Sequence, residues 1–495
     1  MSDIPIAHIA CSQFEVSGRP LSEQLADAIE SVIDQDETKA VILELQSDPS
    51  DFDVDQFLAQ EPLFDRFRVL LRKMELAGKP VVGLIKGSLQ GLQLEVALAC
   101  HARFASTGSF QLGFPGLVYG LMPVLGATQR LPRLAGIPLA GRMLVKGDRI
   151  TVADAAHWIS IGSFDSTIAG WIQAHQQPRQ SWDLEAPEAS ATYSQSTPNR
   201  NSLENIYLDL RRRFPPEEAA PTAILRCIQD GLERSIDAGI RLEAEQWVIV
   251  KESRSTKNRI KILYRARKRA LAERAPVEDL DQARDTDALA NALGRIPIVA
   301  KGEPFKTRVT VAYVQEALLM LEQGASPWLV DNVALNGGMI IGPLSMADLT
   351  GLDQLIELFG APGSLDKSAE AIRILKEFTN RSRFGKKTNG GIYDYDEEGR
   401  QSDWAELSQV FMLSPHQASP EEIEQRLFAV QTIEALHCAK EGIVHDPDIA
   451  DLASVLGWNY PAGRGGVFSY AHDVDGFSQI CAKLQKKFGD RFALP

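Results

Sequence analysis

Residues 80–100, PVVGLIKGSLQGLQLEVALAC, constrain the fold more than any other stretch of the chain. PVVGLIKGS (80–88) is a short apolar strand. Gly87 and Gly91 permit a tight backbone path out of it, and an apolar helix begins near Leu92. An apolar strand must be buried, so further layers have to cover it. The preceding residues supply them. IAHIACSQF (6–14) reads as a strand, and KAVILEL (39–45) as a second short buried strand. Between them PLSEQLADAIESVID (20–34) repeats Leu21, Leu25, Ile29 and Ile33 at helical spacing. Alternating strands and helices predict a layered α/β unit.

The character changes after APEASATYSQSTPNRNS (186–202), a polar segment that reads as a linker or long loop. From 203 to 275 the periodicity is helical throughout. Its basic run, RSTKNRIKILYRARKRALAER (254–274), is either an anion-binding face or a solvated helix whose long side chains cover apolar surface. From 301 onward the pattern predicts helices and glycine turns without strands. EALLMLEQG (316–324) and EALHCAKEG (434–442) repeat Glu-Ala-Leu and end in glycine at the same spacing. Glycine and proline turns follow both, GGMIIGP at 337–343 and GWNYPAGRGG at 457–466. Two such units predict a duplicated all-α domain whose halves pack face to face.

The chain has 495 residues, 44% apolar and 24% charged, and a net charge of −14. That charge argues against general binding of nucleic acid or an anionic membrane. Five scattered cysteines without a CxxC pair predict reduced thiols and a cytoplasmic setting. MSDIPIAHIACSQFEV has an acid early and no basic n-region, so no signal peptide is expected. No apolar run approaches a membrane span, and the eight histidines show no metal-ligand spacing.

Glu95 is the one acid between Gly91 and Gly120. A helix starting near Leu92 aims free N–H groups into any adjoining cleft, and such donors can hold a thioester oxygen as it gains charge. The spacing predicts Glu95 in the first turn, where the helix dipole favours its charge and Leu94, Val96 and Leu98 oppose it. A carboxyl so placed is either a general acid/base or an exposed N-terminal charge.

The wider stretch, KPVVGLIKGSLQGLQLEVALACHARFAS followed by FQLGFPGLVYGLMPVLGATQRLPRLAG, resembles the crotonase (enoyl-CoA hydratase/isomerase) family from about residue 6 to 185. VKGDRITVADAAHWISIG (145–162) is similar to that family's next helix pair. The resemblance implies a ββα spiral that binds acyl-CoA thioesters. It implies Glu95 as a catalytic carboxylate, with the backbone N–H groups of Phe52 and Leu92 as an oxyanion hole and Gly91, Gln93 and Gly116 in the substrate pocket. Family hydratases use a second glutamate just after the proline at 115, where this chain has Gly116. Leu92 stands in place of the middle glycine of a triplet, and Phe52 where a small residue is usual. Asp55 replaces a lysine found in many relatives, and His101 an aspartate after the cysteine, reading as a surface or core-edge histidine.

GPLSMADLTGLD (342–353) with RFGKKTNGGIYDYDEEG (383–399) resembles the helical domain of 3-hydroxyacyl-CoA dehydrogenases, and LGWNYPAGRGGVFSY (456–470) the close of its second copy. RFGKKTNGG lacks a phosphate-loop ending and reads as a structural turn. The order resembles the multifunctional α-subunit of the fatty-acid oxidation complex without its NAD-binding lobe. The connection from 276 to 300 is too short for that lobe, and no GxGxxG occurs. The expected fold is therefore a crotonase-like domain at 1–190 and linker helices at 203–275 packing on it. Helical dehydrogenase-type copies follow at 296–400 and 401–495. No tightly bound cofactor and no NAD are expected, coenzyme A entering only with the substrate. Two functions follow from the resemblance. One is hydratase/isomerase-like lyase chemistry on an acyl-CoA or related thioester through a single glutamate. The other is a non-catalytic subunit that scaffolds a thiolase-like partner or a homo-oligomer.

Overall fold

A computed structural model describes residues 5–10, 21–46, 52–162, 165–184, 196–277, 280–284, 286–293, 295, 304–360 and 368–495. The chain divides into two compact units, residues 1–211 with 218–257, and residues 212–217 with 258–495. The connection at 186–195 and Cys11 lie outside the described residues.

In the first unit, β1 (Ile6–Ala10), α1 (Leu21–Ile33), β2 (Ala40–Leu45), α2 (Val54–Ala59), α3 (Phe64–Leu76) and β3 (Val81–Ile85) follow one another. A short β4 (Leu89–Gln90) leads into α4 (Gly91–Ala99), then come β5 (Ala102–Ala105) and β6 (Gln111–Gly113). α5 (Ala127–Ala135), β7 (Ile150–Thr151) and β8 (Ser160–Ile161) complete the layer. The main sheet runs β1-β2-β3-β5-β8 and every pair is parallel. All five residues of β3 are buried, as its apolar run requires of a central parallel strand. A second sheet, β4-β6-β7, turns away from the first. The chain therefore passes twice from a main-sheet strand to a small-sheet strand, β3 to β4 and β5 to β6. The first passage delivers α4 and the second leads on to α5. This is the ββα spiral.

Leu25, Ile29 and Ile33 of α1 are buried, so the four-residue spacing marks the core face. His101 sits at the edge of the core. Val81 N–H donates to its Nδ1 at 3.1 Å, and Nε2 lies 3.1 Å from Glu75 O. Burial holds its pKa below the ordinary histidine value, so the ring is a neutral clip between β3 and α3. The helices Ala219–Leu232 and Ile236–Glu252 belong to this first unit.

The second unit is mostly helical. Pro304–Glu322 and Pro420–Lys440 are its long central pair, each followed by a shorter helix, Pro327–Asn336 and Pro447–Trp458. The repeat visible in the sequence becomes a reciprocal contact. Arg308 on the first long helix pairs with Glu434 on the second, N···O 2.5 Å. Arg426 on the second pairs with Glu316 on the first, also 2.5 Å. Swapping the two copies exchanges one ion pair for the other, the signature of a two-fold arrangement. Asp331 accepts from Leu344 N–H and Ser345 N–H, each at 2.9 Å. Asp451 accepts from Phe468 N–H at 2.6 Å and Ser469 N–H at 3.1 Å. Two residues before each pair stands Gly342 or Gly466, where an added Cβ would fall 2.2 Å from Asp331 and 2.5 Å from Asp451. Only glycine lets the turn approach that closely.

The second unit also departs from the sequence reading. Tyr393–Tyr395 and Gln401–Asp403 form an antiparallel hairpin, although no strand was expected after 301. At three residues each they are too short for a clear period-2 signal. Asp348 fixes the hairpin by accepting from Ile392 N–H (2.8 Å), Tyr393 N–H (3.0 Å) and Tyr395 Oη–H (3.0 Å). RFGKKTNGG is a turn locked from within. Gly385 is left-handed at φ +103°, and Arg383 donates to Gly391 O and Tyr393 O. In the basic run, Lys261 pairs with Asp448 and Arg269 with Asp446, at 2.9 and 2.8 Å. Those cations are neutralised within their own unit.

Candidate functional site

Glu95 lies one residue into the second turn of α4, the fifth residue from Gly91, rather than in the first turn. It is 1% exposed. Turning inward, its carboxylate takes three backbone donors from the loop before α5. Val124 N–H reaches Oε1 at 3.1 Å, and Leu125 and Ala127 N–H reach Oε2 at 2.7 and 3.1 Å. Burial nevertheless raises its pKa to about 8, with the nearby Glu243 carboxylate adding to the shift and the amides opposing it.

Glu243 went unnoticed in the sequence. It lies on the Ile236–Glu252 helix, is fully buried, and accepts from Gly126 N–H, from Thr128 N–H at 3.0 Å and from Thr128 Oγ1–H at 2.5 Å. Burial raises its pKa as well. The only available signal was a helical run 148 residues away, which names no partner.

A cavity of about 20 Å³ adjoins Glu95, lined by Phe52, Gly91, Phe114, Gly116 and Leu121 among others. Among the described residues Glu95 is its one titratable lining group. That volume holds a water molecule, whereas pockets for small organic ligands run to about 300–1,000 Å³. The Phe52 ring closes it. A Cβ at Gly91 would meet Phe52 Cε2 at 3.7 Å, and one at Gly116 would meet Phe52 Cζ at 3.4 Å. The ring stacks on Tyr119 at 6.1 Å and 18° and tilts on Phe57 at 5.6 Å. Phe57 in turn packs edge-on against Trp247 of the Ile236–Glu252 helix. Asp53 fixes the neighbouring backbone by capping α2, accepting Gln56 N–H at 2.8 Å.

The structure thus brings Glu95, Phe52, Gly91 and Gly116 together around one hollow. Leu92 and Gln93 follow Gly91 in the first turn of α4 but do not line it. Gln93 Oε1 is buried without a hydrogen-bond partner among the described residues. Among the described residues no group of three His, Cys, Asp or Glu is placed to hold a metal, and no helix is long and apolar enough to cross a membrane.

Residues 19–167, which contain this site, match the enoyl-CoA hydratase/isomerase family. The first unit carries a crotonase domain. Residues 305–395 match the 3-hydroxyacyl-CoA dehydrogenase C-terminal domain family, and the crotonase domain precedes that helical part in one chain. The fatty acid oxidation complex subunit alpha of Shewanella baltica (strain OS185) is 21% identical, covering 86% of this chain and 85% of its own. Its alignment runs over 613 residues, longer than this whole chain, so that relative carries a long stretch without counterpart here. The same subunit of Vibrio campbellii (strain ATCC BAA-1116) is 26% identical over 42% of this chain and 30% of its own length. Among solved structures, an enoyl-CoA hydratase from Rhodobacter sphaeroides 2.4.1 is 19% identical over 53% of this chain and 84% of its own, with a TM-score of 0.35.

Proposed function

We propose that the crotonase domain acts on acyl-CoA or related thioesters with Glu95 as its sole acid/base, and that the Phe52 ring must leave the hollow for the acyl group to enter. The observation that carries this reading is the position of Glu95: among the described residues it is the only titratable group on an otherwise apolar hollow, flanked by Gly91 and Gly116. A single carboxyl suffices for proton transfer alpha to a thioester or for isomerisation, whereas syn hydration needs a second group to share the proton traffic of water. The amides of Phe52 and Leu92 are the proposed oxyanion donors, with Gln93 beside them. In this reading coenzyme A enters as part of the substrate, and NAD-dependent dehydrogenation is not among the chain's reactions.

A second reading has its own support. Phe52 fills the space over Gly116 where a second glutamate side chain would stand. A ring held by Tyr119 and Phe57 is a stable plug, which suits a non-catalytic subunit that assembles with a thiolase-like partner or with itself. A panel of short- and long-chain CoA thioesters, offered to wild type, Phe52→Ala and Phe52→Ala with Glu95→Gln, separates the two. Turnover or binding that Phe52→Ala raises and Glu95→Gln removes supports the enzyme. Absence of both from wild type and Phe52→Ala supports the assembly role.

A further inference from the structure

Five consecutive residues, Val124 to Thr128, turn all of their backbone N–H groups toward two carboxylates. Glu95 takes the first, second and fourth, and Glu243 the third and fifth. The two acids come from helices on different sides of the turn, α4 and Ile236–Glu252. Gly126, at the centre, is left-handed at φ +99°, and a Cβ there would stand 2.3 Å from Arg130 Nη1. Such a run of amides at a helix N-terminus attracts negative charge, but two anions on one short run repel each other.

We propose that Glu243 is the positioning partner of Glu95: the two carboxylates divide one run of five amides, and the charge on Glu243 sets how readily Glu95 takes up its proton. A second carboxylate then stands behind Glu95, outside the hollow, on the Ile236–Glu252 helix. The inference rests on the reading of Glu95 as the acid/base. The other charged groups around the turn are held in place. From α3, Arg68 donates to Val124 O at 2.7 Å, and Glu75 is paired with Arg72 and with Arg130. From α5, Arg130 also donates to Leu125 O at 2.5 Å. From the Ala219–Leu232 helix, Cys227 O accepts from Gln129 Nε2, and its buried thiol is held well above the ordinary range. Among these groups, Glu243 is the one that meets the same amides as Glu95.

The test is carboxyl titration by ¹³C NMR on glutamate-labelled, ligand-free protein, with Glu95 assigned by its loss in Glu95→Gln. In wild type the two carboxyls are expected to titrate in two linked steps. Glu243→Gln removes a negative neighbour, so the Glu95 midpoint moves down. Thr128→Val leaves Glu243 in place but weakens the support of its charge, and moves the Glu95 midpoint the same way. Independent single-step curves in wild type, or an unmoved Glu95 midpoint in either variant that keeps the wild-type circular dichroism, overturn the proposal. The readout is proton occupancy without any thioester, so a chain inert toward thioesters would still pass or fail it.

Discussion

At the scale of single residues, Phe52 and Gly116 form a complementary pair: one gains a ring where the other has no side chain. Restoring a carboxylate by Gly116→Glu alone should destabilise the protein by about 1–3 kcal/mol, because the new Cβ meets both Leu121 and Phe52. Phe52→Ala in the same chain should relieve most of that cost. Denaturant unfolding of the two single variants and the double checks the coupling, and additive losses would mean that the ring and the missing acid are unrelated. Glu95 itself was legible, because a lone acid in a thirty-residue apolar stretch is conspicuous. Its depth was not. Whether a helical acid faces water or a loop of amides depends on the loop, and that loop begins some thirty residues later in the chain.

Among the elements, the β3–β4–α4 path could be read from glycine spacing and apolar runs, since both are local. The hairpin at Tyr393–Tyr395 escaped because its strands are too short for periodicity and are fixed by Asp348 from another helix. Glu243 escaped for the same reason. The repeat was visible only as Glu-Ala-Leu, yet each glutamate of that motif turns out to anchor the opposite long helix. The two cross-pairs differ in burial: Arg426 and Glu316 are almost fully buried, whereas Arg308 retains 23% side-chain exposure. Losing the arginine of a buried pair costs about 3–5 kcal/mol. Arg426→Met should therefore destabilise more than Arg308→Met, although Arg491, also on Glu316 at 2.6 Å, limits the difference. Urea midpoints of the two variants measure it, and equal losses would contradict the burial argument.

Across the whole molecule, several buried carboxyls share one sign. Glu95 is raised to about 8, and Asp348 and Asp451 to about 7, burial being the largest cause in each case. Each binds its proton more tightly folded than unfolded, where carboxyls titrate near about 4. Their contribution is complete below that unfolded value and is lost as pH rises through the folded one. The urea midpoint should therefore fall between pH 5 and pH 8.5, and a rise across that window would show that other groups dominate. The same protonation governs chemistry. If Glu95 acts as a base, its rate should climb with pH through about 8 and level off above it.

The most direct test is exchange of the alpha protons of butyryl-CoA in deuterium oxide, followed by proton NMR, because it requires only a thioester in the hollow and one carboxyl. Phe52→Ala should exchange faster than wild type, and adding Glu95→Gln should abolish the gain. Exchange that is equally fast with and without the Glu95 carboxyl, or none in any variant, would contradict the account.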